Sequence, residues 1–207
     1  MTRALPDLAT SPHASRNAQP IFSVLRDELP STAMVLEIGS GTGQHAVYVA
    51  SRMPGITWQS SDVPANFEHL SQAVSMTGLP NLLPSLAIDV REARLEPGSY
   101  DAVFTANTAH IMHVDAVRAM FDLVGNVLKP SGQFFLYGPI RRDGIFNSAS
   151  NRAFDGSLRA RDPGMGLRDI ELLDDFGERC GMRRFREYGM PAHNNLVVWT
   201  KDDDGDT

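Results

Sequence analysis

The apolar residues of this chain change their spacing repeatedly, and this change constrains the fold more than any other feature. Short bursts rich in β-forming residues, such as Met34 to Ile38, alternate with longer segments whose apolar residues recur every three or four positions, such as Val114 to Leu128. Such alternation is typical of βα units that build a mostly parallel sheet. The pattern therefore predicts an α/β fold with a mostly parallel sheet.

Seven segments have the length and composition of strands. They are residues 34–38, 56–60, 82–88, 100–106, 133–137, 182–188 and 195–200. Helices are predicted over residues 21–29 after Pro20, 44–52, 67–78, 114–128 and 170–180. The polar stretch from Gly138 to Gly166 has weak periodicity, and we interpret it as a flap over the site, since loops of this length in compact domains are usually functional or disordered.

Length and composition predict one domain over residues 15–201. The chain has 207 residues, of which 42% are hydrophobic. Residues 1–14 mix Pro, Ser and Thr without periodicity and are expected to be disordered, and residues 202–207 form an acidic tail. No apolar run approaches the roughly twenty residues of a membrane span, and the N-terminus lacks the apolar core of a signal peptide, so we expect a cytoplasmic protein without a membrane partner.

Charge and cysteine content exclude several classes of partner. The net charge of -6 disfavours nucleic acid, whose binders usually carry a dominant basic patch. Cys180 is the only cysteine, which rules out an intrachain disulfide and a cysteine-based metal cage. His110 and His113 have no acidic residue at a convincing ligand spacing, so no metal is predicted. The sequence does not indicate an oligomeric state.

A glycine-dense turn, Gly39 to Gly43, joins the first predicted strand to the following helix. Glycines there permit positive φ and let a ligand lie against bare backbone. The dinucleotide fingerprint G-x-G-x-x-G would need its third glycine at Gln44, so a nicotinamide cofactor is disfavoured. A purely structural turn stays an alternative.

Two aspartates follow the turn at the ends of the next two strands. Asp62 lies about twenty positions further on, where an acidic residue can accept hydrogen bonds from both ribose hydroxyls. Asp89 ends the third strand, where it could reach an adenine amino group beside Val90. Either aspartate alone could be a helix or turn cap. Their joint spacing favours a site for an adenosine-sized ligand.

With these residues the chain resembles the class I S-adenosylmethionine-dependent methyltransferases, whose first motif, E-x-G-x-G-x-G, matches Glu37 to Gly43. More narrowly it resembles the methyltransferase-like 26 proteins. Matching segments include Arg16-Asn17, residues 40–46, Trp58-Gln59, Asp89-Val90, Ala106-Asn107, His110-Ile111, residues 137–139, Ser150-Asn151, Phe154-Asp155, Asp162-Pro163, Arg168-Asp169 and residues 190–192.

The resemblance implies a Rossmann-like class I methyltransferase fold, a mostly parallel seven-stranded sheet with an antiparallel last strand and helices on both faces. It implies that S-adenosyl-L-methionine is the cofactor, with its methionine portion at Gly39, Ser40 and Gly41, its ribose at Asp62 and its adenine at Asp89 and Val90. The resemblance says little about the substrate. Cofactor-binding candidates are Glu37, Gly39, Ser40, Gly41, Asp62, Asp89, Val90 and Asn107, and substrate candidates are Asn17, Tyr137, Asn151, Arg168 and His193. Two departures affect the substrate region: His113-Val114 stands where a Ser-Pro-like turn is expected, and His193 where Asn is usual.

Methyl transfer from a sulfonium mainly requires that acceptor and methyl group be held in line. If the acceptor must lose a proton, His110 is the first candidate for a general base, since an unperturbed histidine titrates near neutral pH. A histidine that merely hydrogen-bonds its loop is the alternative. Asn107-Thr108-Ala109-His110 differs from the Asn-Pro-Pro-Tyr type of sequence, which disfavours methylation of nucleobases.

Two charged segments leave alternatives open. Arg16-Asn17 is interpreted either as a lid over the cofactor or as a helix cap. Six arginines between residues 141 and 168 could bind an anionic substrate, but the aspartates between them favour an ion-paired surface.

The sequence thus predicts a methyltransferase acting on a small molecule that it does not identify. A cofactor-binding regulatory module without transfer activity is the alternative.

Overall fold

The predicted alternation of strands and helices is present in the computed structural model, which describes the backbone of residues 12–203 and the side chains of residues 16–203. The chain divides into two compact units, with the boundary between Asp89 and Val90. Within the predicted disordered N-terminus, residues 1–11 lie outside the described residues, as do residues 204–207 of the acidic tail. The single domain expected over residues 15–201 stays a prediction.

The first unit alternates helices with three parallel strands. Its elements are α1 (Pro12–Glu28), β1 (Met34–Ile38), α2 (Gln44–Ala50), β2 (Thr57–Asp62), α3 (Pro64–Thr77) and β3 (Leu82–Ala87). Leu36 of β1 is in register with Gln59 of β2, and Trp58 of β2 with Leu82 of β3. Burial of Leu36, Trp58 and Leu70 builds the core of this unit from both strands and helices.

The second unit combines helices, long strands, short strands and a 3₁₀ turn. Its elements are β4 (Tyr100–Ala106), α4 (Val114–Val127), β5 (Leu128–Gly138), β6 (Ile140–Arg142), β7 (Ile145–Phe146), α5 (Ala149–Arg161), β8 (Arg168–Asp169), α6 (Ile170–Arg179), β9 (Met182–Met190), a 3₁₀ turn (Pro191–His193) and β10 (Asn194–Lys201). The short strands form a three-stranded sheet in the order β7-β6-β8.

The main sheet has seven strands in the order β3-β2-β1-β4-β5-β10-β9. β10 runs antiparallel to both of its neighbours, β5 and β9, whereas β1, β2 and β3 are parallel to one another and β4 is parallel to β5. The predicted fold class, a mostly parallel seven-stranded sheet with an antiparallel last strand, is confirmed.

Helix α1 begins at Pro12 rather than after Pro20, so the predicted start was wrong. Pro20 lies inside the helix, where it cannot donate a backbone hydrogen bond. Contacts with α2 compensate: the Tyr48 hydroxyl donates to Gln19 Oε1 at 2.5 Å, and the Tyr48 ring meets Phe22 edge-on. Because Asn17 lies in the interior of α1, the interpretation of Arg16-Asn17 as a helix cap is also wrong; the lid interpretation stays a prediction.

The stretch from 138 to 166 is regular structure rather than a long irregular loop. It contains β6, β7 and the thirteen-residue helix α5, whose cap Ser148 accepts a hydrogen bond from the Asn151 amide at 3.1 Å. The buried residues of α5 are Asn151, Asp155 and Leu158. Because two of these three are polar, the buried face leaves no hydrophobic period for sequence analysis to detect. The proposed role of residues 138–166 as a flap stays a prediction.

Strand β5 begins at Leu128, five residues before the predicted strand. Lys129 to Gly132 were expected to form the break after α4. They belong to an irregular start of β5, with a shift of register against β4 between Tyr100 and Ala102 and a positive φ of 59° at Ser131. Helix α4 passes directly into the strand, which no local sequence pattern indicates.

Four aromatic rings pack together in the core of the second unit. Phe121 of α4 meets Phe134, Trp199 and Phe176 edge-on, with ring centroids 5.2, 5.4 and 6.0 Å apart. Phe134 also stacks on Trp199 at 5.7 Å. Phe121 is fully buried at the centre of this cluster, so it joins α4 and α6 to the sheet.

The replacement Phe121→Ala is expected to lower the free energy of unfolding by about 3–5 kcal/mol, because it leaves a cavity among three aromatic neighbours. Urea denaturation followed by circular dichroism measures this change. Phe185→Ala is the control, since that ring is 53% exposed, and we expect it to cost less than about 1 kcal/mol. Equal losses from both variants would contradict the assignment of the cluster as core.

Candidate functional site

The glycine turn follows β1 in the first unit, and its backbone explains its composition. Gly39, Gly41 and Gly43 all have positive φ, at 72°, 57° and 76°. A Cβ on Gly43 would lie 3.2 Å from Leu70 Cδ1, so that glycine packs closely against α3. A Cβ on Gly41 would meet no atom within 4 Å. The backbone at Gly41 therefore faces open space, where a ligand could approach it.

Asp62, the last residue of β2, connects the turn to the start of α3 through its two carboxylate oxygens. Its Oδ2 accepts a hydrogen bond from the Gly41 amide at 2.7 Å. Its Oδ1 accepts from the Val63 amide at 2.8 Å and from Asn66 Nδ2 at 2.9 Å. The carboxylate is only 7% exposed. Asp62 is not itself the N-cap of α3, because that position is held by Val63, whose side chain makes no capping hydrogen bond.

Two serines connect the same turn to β2. The Ser40 amide donates to the Ser61 carbonyl at 2.8 Å, and the Ser61 amide donates to Ser40 Oγ at 3.1 Å. The Ser61 hydroxyl donates to the Glu37 carbonyl at 2.6 Å. These reciprocal bonds fix the path of the turn before any ligand binds, which reduces the entropy that a ligand would have to overcome.

Glu37 contributes a buried carboxyl group directly before the turn. Its side chain accepts a hydrogen bond from Trp58 Nε1 at 3.0 Å and is 1% exposed. Burial raises the pKa of Glu37 from 4.5 to about 7, against the opposing hydrogen bonds of Trp58 and Ser40, and the charge of Asp62 raises it further. A carboxyl group that titrates near neutral pH can therefore respond to a nearby cation such as an ammonium group.

Sequence analysis did not identify Trp58 as the partner of Glu37. In the register of β1 and β2, Glu37 lies opposite Ser60, and Trp58 is two residues before Ser60 on the same face. Aligning the two predicted strands as parallel neighbours would have brought Glu37 near Trp58. The sequence alone did not specify the register needed for that alignment.

Asp89 and Val90, both predicted to contact adenine, lie on opposite sides of the boundary between the units. Asp89 is half-buried at the end of the first unit, where the Ile88 amide donates to the Asp62 carbonyl at 2.8 Å. Val90 belongs to the second unit, where it lines an open groove of about 410 Å³ with Ala119 and Leu123. The predicted roles in adenine binding stay predictions.

In the second unit, the segment that follows β4 carries Asn107 and His110. Asn107 adopts a positive φ of 60°, and its amide donates to the Tyr137 carbonyl at 2.9 Å. The hydroxyl groups of Thr105 and Thr108 lie 2.6 Å apart and close the turn from inside. Asparagine tolerates the left-handed region better than most residues, so the backbone gives a local reason for this residue type at 107.

His110 is enclosed by protein, with 6% of its surface exposed. Phe154 meets the imidazole edge-on at 5.2 Å. A Cβ on Gly138 would lie 3.7 Å from His110 Nδ1, so there is little room between the imidazole and that backbone. Burial, followed by the positive charge of Arg168, lowers the pKa of His110 from 6.5 to about 4. The imidazole is therefore neutral at physiological pH, rather than poised to titrate there.

The predicted substrate residues of the second unit use their polar groups to bind the protein itself. The Tyr137 hydroxyl accepts a hydrogen bond from Asn194 Nδ2 at 3.0 Å, and burial raises the pKa of Tyr137 to about 12. Asn151 Nδ2 donates to the His193 carbonyl at 3.0 Å. The Arg168 guanidinium donates to backbone carbonyls. Asn17, the remaining candidate, is half-buried in α1 of the first unit. Contact of these residues with a substrate stays a prediction.

A strained turn carries His193. Ala192 and His193 both have positive φ, at 57° and 59°. Asn147 and Asn151 hold the turn by donating their side-chain amides to the His193 carbonyl, each at 3.0 Å. Non-glycine residues rarely adopt this conformation, and Asn does so more readily than most. An Asn at this position, which the resemblance leads us to expect, would therefore suit the backbone without any role in substrate choice.

Several of the clustered arginines form ion pairs, in agreement with the favoured interpretation of this segment. Arg141 pairs with Asp169 at 2.5 Å, and Arg159 pairs with Asp155 at 2.8 Å. Arg142 forms an ion pair with Glu187. These cations are already neutralised by protein carboxylates, which reduces their attraction for an anionic ligand.

The described residues contain neither a metal-binding cluster nor a membrane-spanning helix. Between residues 12 and 203, no group of three or more His, Cys, Asp or Glu side chains is arranged to hold a metal ion. Within the same range, no helix has the length and apolar character needed to cross a membrane.

Comparison with protein families gives one match over almost the whole chain. Residues 9–201 match the family described as "Protein of unknown function (DUF938)". The description assigns no activity, so it adds no functional argument to the geometry above.

Solved structures with the same fold include several methyltransferases. An O-methyltransferase family protein from Burkholderia thailandensis has a TM-score of 0.76 and 18% identity, covering 90% of this chain and 57% of its own. Mitomycin 7-O-methyltransferase has a TM-score of 0.77 and 18% identity, and the match covers 91% of this chain and 54% of that protein. Human N-acetylserotonin methyltransferase, solved in complex with SAM, has a TM-score of 0.75 and 15% identity, and the match covers 92% of this chain and 53% of that protein. The chain thus spans little more than half the length of these proteins, and identities this low establish the fold alone.

The raised pKa of Glu37 predicts a dependence of stability on pH. Folding favours the protonated carboxyl, so its contribution is full below pH 4.5 and is lost as the pH rises through about 7. The loss amounts to about 3 kcal/mol. Because Glu37→Gln is uncharged, its free energy of unfolding relative to wild type should rise across this range. Urea denaturation at a series of pH values tests this, with the exposed Glu68→Gln as control. A Glu37→Gln variant that kept the wild-type pH dependence would refute the shift.

The strained turn predicts opposite effects of two substitutions at His193. His193→Asn should raise the free energy of unfolding by a few tenths of a kcal/mol, because Asn tolerates positive φ. His193→Val should lower it by about 1–2 kcal/mol, since a β-branched residue is strained there. Thermal and urea denaturation measure both variants, and His69→Val on the exposed side of α3 is the matched control. If Val were tolerated at both positions, the strain at His193 would be disproved.

Proposed function

The chain belongs to the family of proteins of unknown function DUF938, and we propose that it is an enzyme that transfers a methyl group from S-adenosylmethionine to a small molecule. The observation that carries the proposal is the glycine turn of the first unit, fixed by Asp62 and open at Gly41. The narrower resemblance to methyltransferase-like 26 proteins stays a prediction.

The residues present in the first unit fit an adenosyl sulfonium. Gly41, whose backbone is open, directly follows Gly39 and Ser40, the proposed contacts of the methionine portion. Asp62 already accepts three hydrogen bonds within the protein, and two carboxylate oxygens offer about four acceptor positions. A ribose hydroxyl can use the remaining position or replace the Asn66 amide.

Glu37 would contribute charge to the same site. The sulfonium and ammonium groups of the cofactor are cations, and a cation near a buried carboxyl favours its ionised form. Glu37 would therefore release its proton when the cofactor binds near neutral pH. Trp58 Nε1, which donates to Glu37 Oε2, would stabilise the resulting carboxylate.

S-adenosylmethionine, when bound, supplies a methyl group that is already activated for displacement. The task left to the protein is to align an acceptor atom and to accommodate its proton. His110 would accept a hydrogen bond from the hydroxyl or amine of the acceptor and so orient its lone pair. With its pKa lowered to about 4, His110 is a weaker base than the sequence suggested, so alignment carries more of the rate than proton removal.

The alternative is a cofactor-binding module without transfer activity. It is favoured by one observation, namely that Tyr137, Asn151 and Arg168 direct their polar groups to other parts of the protein. Turnover of S-adenosylmethionine to S-adenosylhomocysteine with a panel of small hydroxyl, amine and thiol compounds distinguishes the two. Binding without turnover across the panel would favour the module.

Titration calorimetry with S-adenosylmethionine and S-adenosylhomocysteine tests the cofactor site directly. Asp62→Ala is expected to weaken binding by more than tenfold, because it removes a carboxylate that accepts hydrogen bonds from the ribose and also holds Gly41. Glu68→Ala on the exposed surface of α3 is the control and should bind as wild type does. Unchanged affinity in Asp62→Ala would mean that the ribose lies elsewhere, and a wild-type protein that bound neither compound would reject the proposed function.

A further inference from the structure

Arg168 on β8 is a buried cation whose hydrogen-bond acceptors are backbone carbonyls. Its Nε donates to the Ala109 carbonyl at 3.1 Å, and its Nη2 donates to the carbonyls of Met112 and, at 2.8 Å, of Gly164. The residue is 9% exposed. Burial and the neighbouring Arg159 and Arg141 lower its pKa, which shows that the charge is held at a cost.

The carbonyls that Arg168 binds lie on either side of His110. Those of Ala109 and Met112 accept its hydrogen bonds, and the His110 carbonyl between them accepts one from the Gly166 amide at 2.9 Å. Three of the four carbonyls from 109 to 112 are thus fixed by residues 166–168. Fixing carbonyls on both sides of a residue fixes its φ and ψ, and these determine which rotamers its side chain can adopt.

The segment that holds Arg168 is itself anchored to α5. Asp155 Oδ1 accepts a hydrogen bond from the Leu167 amide at 2.7 Å, while Asp155 Oδ2 accepts from Arg159 Nε at 2.8 Å. Gly166 has a φ of 132°, and a Cβ there would lie 2.5 Å from Arg159 Nη2. Arg168 therefore approaches the His110 loop from a support that has little freedom to shift.

We infer that Arg168 is a positioning residue, which sets the orientation of the His110 imidazole through the carbonyls of Ala109 and Met112, and that it does not bind the substrate directly. A guanidinium suits this task because its planar fork presents several donors in fixed directions, whereas an ammonium group does not. The importance of this orientation for catalysis rests on the proposed function, whereas the orientation itself follows from the hydrogen bonds of Arg168.

The test measures His110 by NMR in the full chain, through the chemical shift and titration of its imidazole Cε1–H. Arg168→Gln removes the charge and the fork, and Arg168→Lys keeps the charge alone. Arg161→Lys is the matched control, because Arg161 is exposed at the end of α5. We expect Arg168→Gln to increase the proton affinity of His110, because it removes a positive charge near the imidazole, and to abolish the ring-current shift from Phe154. Arg168→Lys should lose the ring-current shift while changing the proton affinity less, and the control should change neither.

A purely structural role would lower the free energy of unfolding without moving the His110 signals, and that result in folded Arg168→Gln would overturn the inference. Should Arg168→Gln fail to fold, Arg168→Lys decides the question by the loss or retention of the ring-current shift. Asp155→Asn gives an independent readout. It weakens the anchor at Leu167, so the His110 signals should move in the same direction as in Arg168→Gln but by a smaller amount. Calorimetry with S-adenosylmethionine on the same samples keeps the two proposals apart, because a wild-type protein that binds no cofactor would reject the methyltransferase while leaving the His110 result intact.

Discussion

The hydrogen bond from the Gly41 amide to the Asp62 carboxylate, 2.7 Å long, holds the glycine turn of the first unit in place. It connects the turn after β1 to the end of β2, and the other oxygen of the same carboxylate binds the backbone at Val63, where α3 begins. One buried charge thus fixes three elements. Asp62 and the serines hold the turn in a conformation in which the backbone at Gly41 stays open. The proposed cofactor site depends on this arrangement.

The second unit applies the same physical principle with the opposite charge. Arg168 binds backbone carbonyls, much as Asp62 binds backbone amides. A buried ion costs several kcal/mol in lost hydration, which hydrogen bonds of good geometry can offset. In return, the irregular segment that follows a strand becomes rigid, as the segment after β4 does through Arg168. Each unit therefore presents its candidate functional groups, Gly41 and His110, on a backbone that is fixed by one buried charged side chain.

The sequence predicted the fold well, because the change between periods of two and 3.6 residues marks parallel strands and their helices clearly. It failed where the buried surface is polar, as in α5 with Asn151 and Asp155, and where packing overrides a local signal, as at Pro20 in α1. The glycine turn and Asp62 were predictable from spacing. The depressed pKa of His110 was not, because it arises from burial and from Arg168, which lies 58 positions away in the chain. Long-range contacts of this kind leave no local pattern.

A crystal structure of the protein grown with S-adenosylhomocysteine would show whether the glycine turn of the first unit binds an adenosyl cofactor. We expect density for the ligand against the bare backbone at Gly41, with its ribose hydroxyls donating to Asp62 and its amino acid portion near Glu37. A turn that remained empty at saturating ligand concentration, or a ligand bound elsewhere on the chain, would mean that this turn is not the cofactor site.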